Sequence, residues 1–352
     1  MEKTNTQIND ILKLLKKLPQ NELDSIVGEL YSKLTSNIKD DDNSVYSLVK
    51  EDLPVCNKCG SVHVVKNGKD SHRHIRYLCR DCGKTFGTLS SSVVSRTRKD
   101  ADTWQEYIKC MLQGLSIAKT AEACGIAIQT AFTWRHKILN ALTEHSFSTS
   151  YTGLVEMDEL FMRISYKGNH KNSKKFSMPR KPFKRGTDNV CTSSNSKACV
   201  LCVVQRDKSF SGIIPCRGAI NKPLLEQLFG DKVSEESVIL TDGCWAYNQY
   251  FRTTNVEHIV LPTNNHKPTV KGVYHINNVN ALHHRFRKFL EKYNGVSTKY
   301  LHNYLALFLW LENNKYYDKE TILNEELTKV GSYISGSALT EFAPIPELAP
   351  AA

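Results

Sequence analysis

The sequence lacks several features that would assign it to a membrane or to the secretory route. It has no run of about 18 consecutive apolar residues, the minimum for a membrane-spanning helix. Its first nine residues are polar and contain no apolar signal-peptide core. No segment repeats at a fixed period. These absences favour a cytoplasmic protein without a membrane partner.

Negative charge is scarce relative to positive charge. The 352 residues include 36 Asp and Glu but 47 Lys and Arg, which gives a formal net charge of +11. This surplus favours a polyanionic partner such as nucleic acid, with an anionic membrane surface as the weaker alternative. Since 40% of the residues are hydrophobic, the chain can form folded cores, and its length predicts two or three domains.

Cysteine is not scarce, and four of the eleven cysteines form a pattern. Without a signal peptide, cysteines act as metal ligands, nucleophiles or small buried residues. Two Cys-x-x-Cys pairs, nineteen residues apart, predict a structural Zn²⁺ site with the ligands Cys56, Cys59, Cys79 and Cys82. Strands over Val62–Lys66 and Ile75–Leu78, around an Asn67-Gly68 turn, complete a zinc ribbon over 54–90. We expect the other seven cysteines to be small buried residues, and the ribbon is expected to contact either DNA or protein.

The segment 98–146 has the pattern of a DNA-binding helix-turn-helix. Helical spacing predicts helices over Trp104–Leu112, Ile117–Ala123 and 127–142, with Gly125 in the turn between the last two. The N-terminal part of the last helix would enter the major groove. The residues predicted to contact DNA there are Gln129, Thr130, Thr133 and Arg135. The alternative is a three-helix bundle that does not bind DNA.

Two apolar runs carry carboxylates. Glu156 and Asp158 alternate onto one face of a predicted strand, and Glu159 lies on the other face. Asp242 directly follows the apolar run Val238–Thr241. Because buried carboxylates are costly unless they bind a cation, Asp158 and Asp242 on neighbouring strands predict a site for two Mg²⁺ or Mn²⁺ ions. Asp followed by Gly also fits an ordinary turn.

A basic insert, 163–188, lies between these two runs. It contains nine Lys and Arg against one acidic residue, so it holds eight of the eleven net charges. Its Pro and Gly residues predict a loop. Beside a carboxylate site such a loop would contact DNA phosphates, and the alternative is a solvated charged loop. The residues of the insert that are predicted to bind DNA are Lys167, Lys171, Lys174, Lys175, Arg180, Lys181, Lys184 and Arg185.

The remaining segments give simpler patterns. Apolar residues at helical spacing predict a helical hairpin over 1–35, which would pack on another domain or another subunit. Residues 36–53 are acidic and polar and predict a linker. Residues 152–317 alternate between strand and helix patterns. Residues 318–352 predict a C-terminal helix and a disordered, Ala/Pro-rich tail.

Several motifs between residues 55 and 315 resemble those of zinc-ribbon insertion-sequence transposases with an RNase H-like catalytic domain. They are VEMDELF, SYKGNH with MPRKPFKRG, LTDGCWAY, HINNVNALHHRFRKFL and STKYLHNYLALFLW. The class is named for two catalytic Asp and one Glu, and the resemblance implies that Asp158 is the first and Asp242 the second. The implied fold is a multidomain α+β chain. In it an RNase H-like α/β domain with a mixed sheet, over 152–317, follows the hairpin, the ribbon and the helix-turn-helix.

The third catalytic position departs from the family pattern. The family's His-x-Asn-x-x-Glu is matched by His275, Asn277 and Asn280, so Asn280 stands where Glu is expected. By resemblance, Asn280 completes the catalytic set, with Arg287, His275 and Asn277 as auxiliary residues. An amide oxygen can ligate Mg²⁺ but brings no charge. We expect Asn280 and Arg287, two turns apart, to share a helix face, and His283 between them to face DNA or solvent.

These observations predict a DNA transposase of an insertion sequence. It would bind terminal inverted repeats through the ribbon and the helix-turn-helix. It would cleave and transfer DNA strands with two divalent ions, as a homodimer or higher oligomer in the prokaryotic nucleoid. Two alternatives remain: Asn280 favours a catalytically impaired DNA-binding regulator derived from a transposase, whereas a metal-dependent nuclease of the same fold would only cleave.

Overall fold

The computed structural model describes a large central part of the chain. The described residues are 55–56, 58–70, 74–87, 90, 92–95, 97–148, 150–168, 196–261, 273–319 and 323. All of them belong to one compact unit. The hairpin predicted over 1–35, the linker over 36–53 and nearly all of the segment 318–352 lie outside the described residues.

The first element is a three-stranded antiparallel sheet, with strand order β1-β2-β3. Its strands are β1 (Val64–Lys69), β2 (Ile75–Cys79) and β3 (Thr85–Gly87). Its small core contains Val64, Tyr77 and Phe86. The predicted turn at Asn67-Gly68 is wrong, because both residues lie within β1, where the pairing with β2 becomes irregular after Lys66.

Helices occupy most of 98–146. They are α1 (Ala101–Leu112), α2 (Ile117–Ala123) and α3 (Ile128–Ala141). The side chains of Asp100 and Ser116 accept hydrogen bonds from the first turns of α1 and α2, as expected of N-cap residues. Gly125 has φ of +58° in the turn between α2 and α3, a conformation that glycine adopts without strain. The rings of Trp104 and Trp134 stack 3.7 Å apart, which fixes α1 against α3.

A five-stranded mixed sheet forms the centre of the following domain, as the sequence predicted. Its strands are β4 (Leu154–Arg163), β5 (Lys197–Gln205), β6 (Phe210–Arg217), β7 (Val238–Thr241) and β8 (Glu257–Val260). The strand order is β6-β5-β4-β7-β8. β5 runs antiparallel to both of its neighbours, β4 and β6, whereas β4 pairs in parallel with β7 and β7 pairs in parallel with β8.

Helices cover both faces of this sheet. They are α4 (Lys222–Phe229), α5 (Trp245–Phe251), α6 (Asn277–Glu291) and α7 (Leu301–Asn313). Even-numbered residues of β5, such as Val200, join the core with α6 and α7, and odd-numbered ones, such as Leu201, join the core with α4 and α5. β5 is therefore apolar along almost its whole length, since both of its faces are buried.

The segment α1–α3 packs against this domain. Buried residues of α1, α3, α6 and α7 share one core with one face of the sheet. Within that core, Asn303 of α7 lies 3.3 Å from the ring nitrogen Nδ1 of His136 in α3. The helices are therefore fixed on the same side of the sheet as α6.

Candidate active site and zinc site

The four predicted zinc ligands lie together at the end of the three-stranded sheet. The sulfur of Cys56 is 3.6 Å from that of Cys82, and the sulfur of Cys59 is 3.6 Å from that of Cys79. All four sulfur atoms lie within 4.8 Å of one another. Tetrahedral Zn²⁺ with ligands at ~2.3 Å requires sulfur atoms about 3.8 Å apart, so the cluster has the right size.

Backbone hydrogen bonds lower the pKa of Cys56 and of Cys79, whereas the neighbouring cysteine side chains and burial raise the pKa of Cys59. Gly60 and Gly83, each directly after the second cysteine of a pair, have φ of +71° and +69°. This left-handed turn brings backbone N–H groups towards the sulfur atoms. A hydrogen bond from the backbone of Lys58 is the main cause that lowers the pKa of Cys56 to about 6. The donor set and the spacing therefore fit zinc.

The two aspartates of the predicted active site come from neighbouring strands. β4 and β7 pair in parallel with Glu156 opposite Leu240. Continuing that register by two residues places Asp242, just beyond β7, beside Asp158. Burial, and then the negative charge of Asp242, raise the pKa of Asp158 to about 7.

Backbone donors orient both carboxylates. The N–H of Glu159 donates to Oδ1 of Asp158 at 2.9 Å, and the N–H of Cys244 donates to Oδ1 of Asp242 at 2.9 Å. No positively charged side chain forms an ion pair with Asp242 among the described residues, and the partner of Asp158 is a histidine. The negative charge of these two adjacent carboxylates is balanced by few positive groups. Their oxygen atoms are the type of ligand that a hard divalent cation prefers, so the pair fits such an ion.

Helix α6 carries the three predicted residues Asn280, His283 and Arg287 at helical spacing, and His283 is the one that reaches Asp158. His283 is buried, and its Nδ1 lies 3.7 Å from Oδ2 of Asp158. Asn280 lies three residues before His283 and Arg287 four residues after it, and both are exposed. Burial, and then the charge of Arg287, lower the pKa of His283 to about 4. The expectation that His283 faces DNA or solvent is wrong, because the packing of α6 on β4 buries it.

Among the described contacts, none joins the side chain of Asn280 to Asp158 or Asp242. His275 and Asn277, the other two residues of the His-x-Asn-x-x-Asn motif, lie at the start of α6. The Nδ1 atom of His275 is 3.4 Å from Oε1 of Glu156, and it also accepts the N–H of Asn277 at 3.4 Å. The motif therefore shapes the entry into α6.

Sequence reasoning did not assign a role to two other acidic residues here. Glu156 is fully buried and accepts hydrogen bonds from the first turn of α6. Glu159 lies on the opposite face of β4, near Tyr247 of α5. Burial raises the pKa of Glu159 to about 8, which the Tyr247 hydroxyl partly offsets, and Asp158 and Asp242 raise it further. The alternation of the three acids along β4 is as predicted.

The predicted DNA contacts of α3 divide into two groups. Gln129 is exposed and Thr130 half-buried at the N-terminal end of α3, and the hydroxyl of Thr133 donates to the carbonyl of Gln129 at 2.9 Å. Arg135, in contrast, is fully buried, so its assignment as a DNA contact is wrong. Its Nη2 donates to the carbonyl of Leu115 at 3.0 Å and lies 3.3 Å from the Thr120 hydroxyl.

We expect Arg135→Ala to lower the free energy of unfolding by about 3 kcal/mol, because it leaves buried acceptors without a donor and creates a cavity. Gln129→Ala, on the exposed face of the same helix, should change it by no more than about 0.5 kcal/mol. Urea denaturation followed by tryptophan fluorescence measures both. Unchanged stability for Arg135→Ala would contradict its structural role.

Lys167 has a different environment from the one predicted. Its ammonium group donates to the backbone carbonyls of Tyr293, Asn294 and Gly295 at 3.0, 2.8 and 2.8 Å. It thereby caps the chain just after α6, where the helix dipole is negative. All three of its protons are used, so we leave Lys167 out of any DNA surface. The other predicted DNA-binding residues of the insert lie outside the described residues, namely Lys171, Lys174, Lys175, Arg180, Lys181, Lys184 and Arg185.

A mixed α/β domain with two adjacent aspartates, preceded by a four-cysteine cluster, is the arrangement predicted for a zinc-ribbon transposase. Residues 151–313 match the family described as the ISXO2-like transposase domain. The match covers the domain that carries both aspartates and agrees with the resemblance that the motifs predicted.

A relative from an insertion element agrees with this assignment. An uncharacterised protein in transposable element ISH50 of Halobacterium salinarum is 24% identical over 257 residues, covering 72% of this chain and 83% of the relative.

Two solved structures share weaker similarity. The chain is 13% identical to a chain of the simian T-cell lymphotropic virus intasome in complex with PP2A regulatory subunit B56 gamma, with a TM-score of 0.27. That match covers 58% of this chain and 67% of the other. A pre-cleavage Mos1 transpososome chain is 11% identical with a TM-score of 0.19, covering 68% and 83%. Scores this low do not establish a common fold. Among the described residues, no helix is both long enough and apolar enough to cross a membrane.

Proposed function

We propose that this protein is the DNA transposase of an insertion sequence, with an RNase H-like catalytic domain. It binds the terminal inverted repeats and catalyses metal-dependent DNA cleavage and strand transfer. The observation that carries this proposal is the placement of Asp158 and Asp242 side by side, in a domain of a transposase family.

In the proposed site, some side chains would bind two cations and another would bind a DNA phosphate. Asp158 and Asp242 would hold Mg²⁺ or Mn²⁺, and Asn280 would supply a neutral third ligand. Bound ions would activate the attacking oxygen and stabilise the leaving oxygen. A backbone N–H group fixes Oδ1 of each aspartate, so Oδ2 of Asp242 remains for a cation, and Oδ2 of Asp158 would face both the cation and Nδ1 of His283 at 3.7 Å. Arg287, exposed on the Asn280 face of α6, would contact the phosphate.

DNA binding is proposed for four parts of the chain. The exposed N-terminal end of α3, with Gln129 and Thr130, would read the terminal repeats in the major groove. The zinc ribbon and the basic insert would contact the DNA backbone. The indole of Trp245, which begins α5 three residues after Asp242, is 71% exposed and can stack on a base beside the scissile phosphate. Synapsis of two DNA ends requires at least a homodimer.

Strand transfer on DNA that carries the ends flanking the gene tests this function. With Mg²⁺ or Mn²⁺ we expect products in which an end is joined to target DNA. Nicks without joined products would favour the nuclease alternative. Binding to the ends without any cleavage would favour the regulator, which the uncharged Asn280 makes the second candidate.

Asn280→Glu should lower the Mg²⁺ concentration needed for half-maximal strand transfer by about tenfold, since a charged ligand binds the ion more tightly than an amide. The control is Ala281→Glu, which adds the same charge at the next exposed position of α6 but on another side of the helix. A Mg²⁺ titration of joined product compares them. A higher Mg²⁺ requirement in Asn280→Glu than in the wild type would contradict the placement of this residue.

A further inference from the structure

A single buried carboxylate joins the strand that carries Asp158 to the helix that carries Asn280. Glu156 is 0% exposed, so every interaction of its carboxylate is made within the protein. Its Oε2 accepts the backbone N–H groups of Asn278 and Val279 at 2.9 and 3.1 Å. Its Oε1 accepts the side-chain amide of Asn278 at 2.7 Å. Three of its hydrogen bonds therefore come from the first turn of α6.

Two further groups surround Oε1. Nε of Arg206, in the loop after β5, and Nδ1 of His275, just before α6, each lie 3.4 Å from this oxygen. Arg206 also donates to the carbonyl of Val273, so it ties the segment before α6 to the same point. Because Nδ1 of His275 accepts the N–H of Asn277, it does not donate to this oxygen. A buried carboxylate is costly unless donors satisfy it, and here Arg206, Asn278 and Val279 satisfy both oxygens.

Helix α6 depends on this carboxylate because it has no N-cap of its own. The residue at the cap position is Ile276, whose side chain makes no cap hydrogen bond. Nδ1 of His275 accepts the N–H of Asn277 at 3.4 Å, and the N–H groups of Asn278 and Val279 reach Glu156. The N–H groups of a first turn need acceptors, and a negative charge there interacts favourably with the helix dipole. From the neighbouring strand, Glu156 supplies the acceptor oxygens and the negative charge.

The position of Glu156 on β4 connects this cap to the active site. Glu156 and Asp158 are two residues apart on one face of the strand, about 7 Å along it. Asn278 and Val279, which Glu156 holds, directly precede Asn280. One turn later His283 reaches Asp158 at 3.7 Å. The helix is thus attached to β4 at two points, and the register between them fixes where Asn280 lies relative to Asp158.

We propose that Glu156 is a positioning residue of the active site, which caps α6 from β4 and thereby sets the distance between Asn280 and the two aspartates. This inference rests on the proposed function for its consequence in catalysis, but the cap itself does not. Glu156 acts through α6 and does not touch DNA or the cations. Removal of comparable groups around metal ligands lowers metal affinity or activity about 10- to 100-fold.

The test uses the full chain with Glu156→Gln, which keeps the shape but replaces one acceptor oxygen by a donor facing N–H groups. The matched control is Glu226→Gln on α4, whose side chain is 51% exposed. We expect Glu156→Gln to increase hydrogen exchange at Asn278 and Val279 at least about tenfold. We also expect it to weaken Mn²⁺ binding about tenfold, measured by electron paramagnetic resonance per folded molecule. Glu226→Gln should change neither.

The outcomes separate positioning from simple stabilisation. Lower thermal stability with unchanged Mn²⁺ affinity and unchanged exchange at Asn278 and Val279 would overturn the proposal. If Glu156→Gln does not fold, Asn278→Ala removes only the side-chain donor to Oε1, and it should weaken Mn²⁺ binding in the same direction. Absence of this effect in folded Asn278→Ala then overturns the proposal. Absence of strand transfer in the wild type would count against the proposed function alone, since exchange is measured without DNA.

Discussion

Asp158→Asn should lower strand transfer at least about a thousandfold, because it removes a ligand that the two-ion mechanism requires and each 1.4 kcal/mol is a factor of ten in rate. Asp242→Asn should have the same effect, as both carboxylates are needed. Asp231→Asn, an exposed Asp in the same domain, is the matched control and should retain full activity. The measurement is joined product per unit time at saturating Mg²⁺.

Asp158→Asn should also stabilise the folded protein in the absence of added divalent ions. Burial and Asp242 raise the pKa of Asp158 to about 7, so ionising this carboxyl costs more in the folded protein than in the unfolded chain. This cost is absent below about pH 4, grows between about pH 4 and 7, and is complete above pH 7. Asp158→Asn should therefore add on the order of 4 kcal/mol at pH 8 and little at pH 4.

Activity and stability thus move in opposite directions for one residue, which distinguishes a functional carboxylate from a structural one. Loss of activity together with loss of stability at pH 8 would indicate that Asp158 is structural. Retention of strand transfer in Asp158→Asn would remove the proposed function altogether.

Loss of zinc should have the second large effect. Cys56→Ser removes one ligand of a four-sulfur site, and structural Zn²⁺ contributes about 10–16 kcal/mol of apparent binding free energy in small zinc domains. The ribbon has only a small core around Tyr77 and Phe86, so we expect it to unfold without the ion. The mixed sheet, with its own large cores, should remain folded.

The measurements are zinc per chain, hydrogen exchange of β1–β3, and binding to the terminal repeats. Cys124→Ser, outside the cluster and half-buried, is the matched control and should keep one zinc per chain. If the ribbon binds DNA, Cys56→Ser loses affinity for the repeats. If it binds protein, the mass of the assembly falls instead. A full zinc content in Cys56→Ser would contradict the assignment of the site.

Local patterns correctly predicted the parts of this protein whose geometry depends on nearby residues. Each Cys-x-x-Cys pair brings two thiolates to one turn, and the ribbon between them brings the pairs together at 3.6 Å. Strand alternation correctly placed Glu156 and Asp158 on one face and Glu159 on the other. The sequence predicted that the two aspartates lie on neighbouring strands, but the register of β4 and β7, which aligns them, follows from pairing between distant strands.

The sequence patterns did not predict correctly which basic side chains are free to bind DNA. Arg135 lies in an amphipathic segment whose polar side was expected to face DNA, but α2 and the loop before it cover that residue. Lys167 stands in a basic segment, yet its ammonium group binds three carbonyls after α6, more than 120 positions later in the chain. In both cases the deciding contact comes from a distant part of the sequence, which spacing cannot reveal.

By itself, the sequence determined the four-cysteine cluster, the helical segment before the sheet, the placement of two aspartates on neighbouring strands and the resemblance to a transposase family. Only the tertiary structure decided which charged groups hold the protein together and which remain for a ligand. Glu156 and Asp158 are two residues apart on one strand face, but α6 places its N–H groups over the first and leaves the second beside Asp242. The reason is physical: a carboxylate's role depends on the donors or charges that packing brings to it.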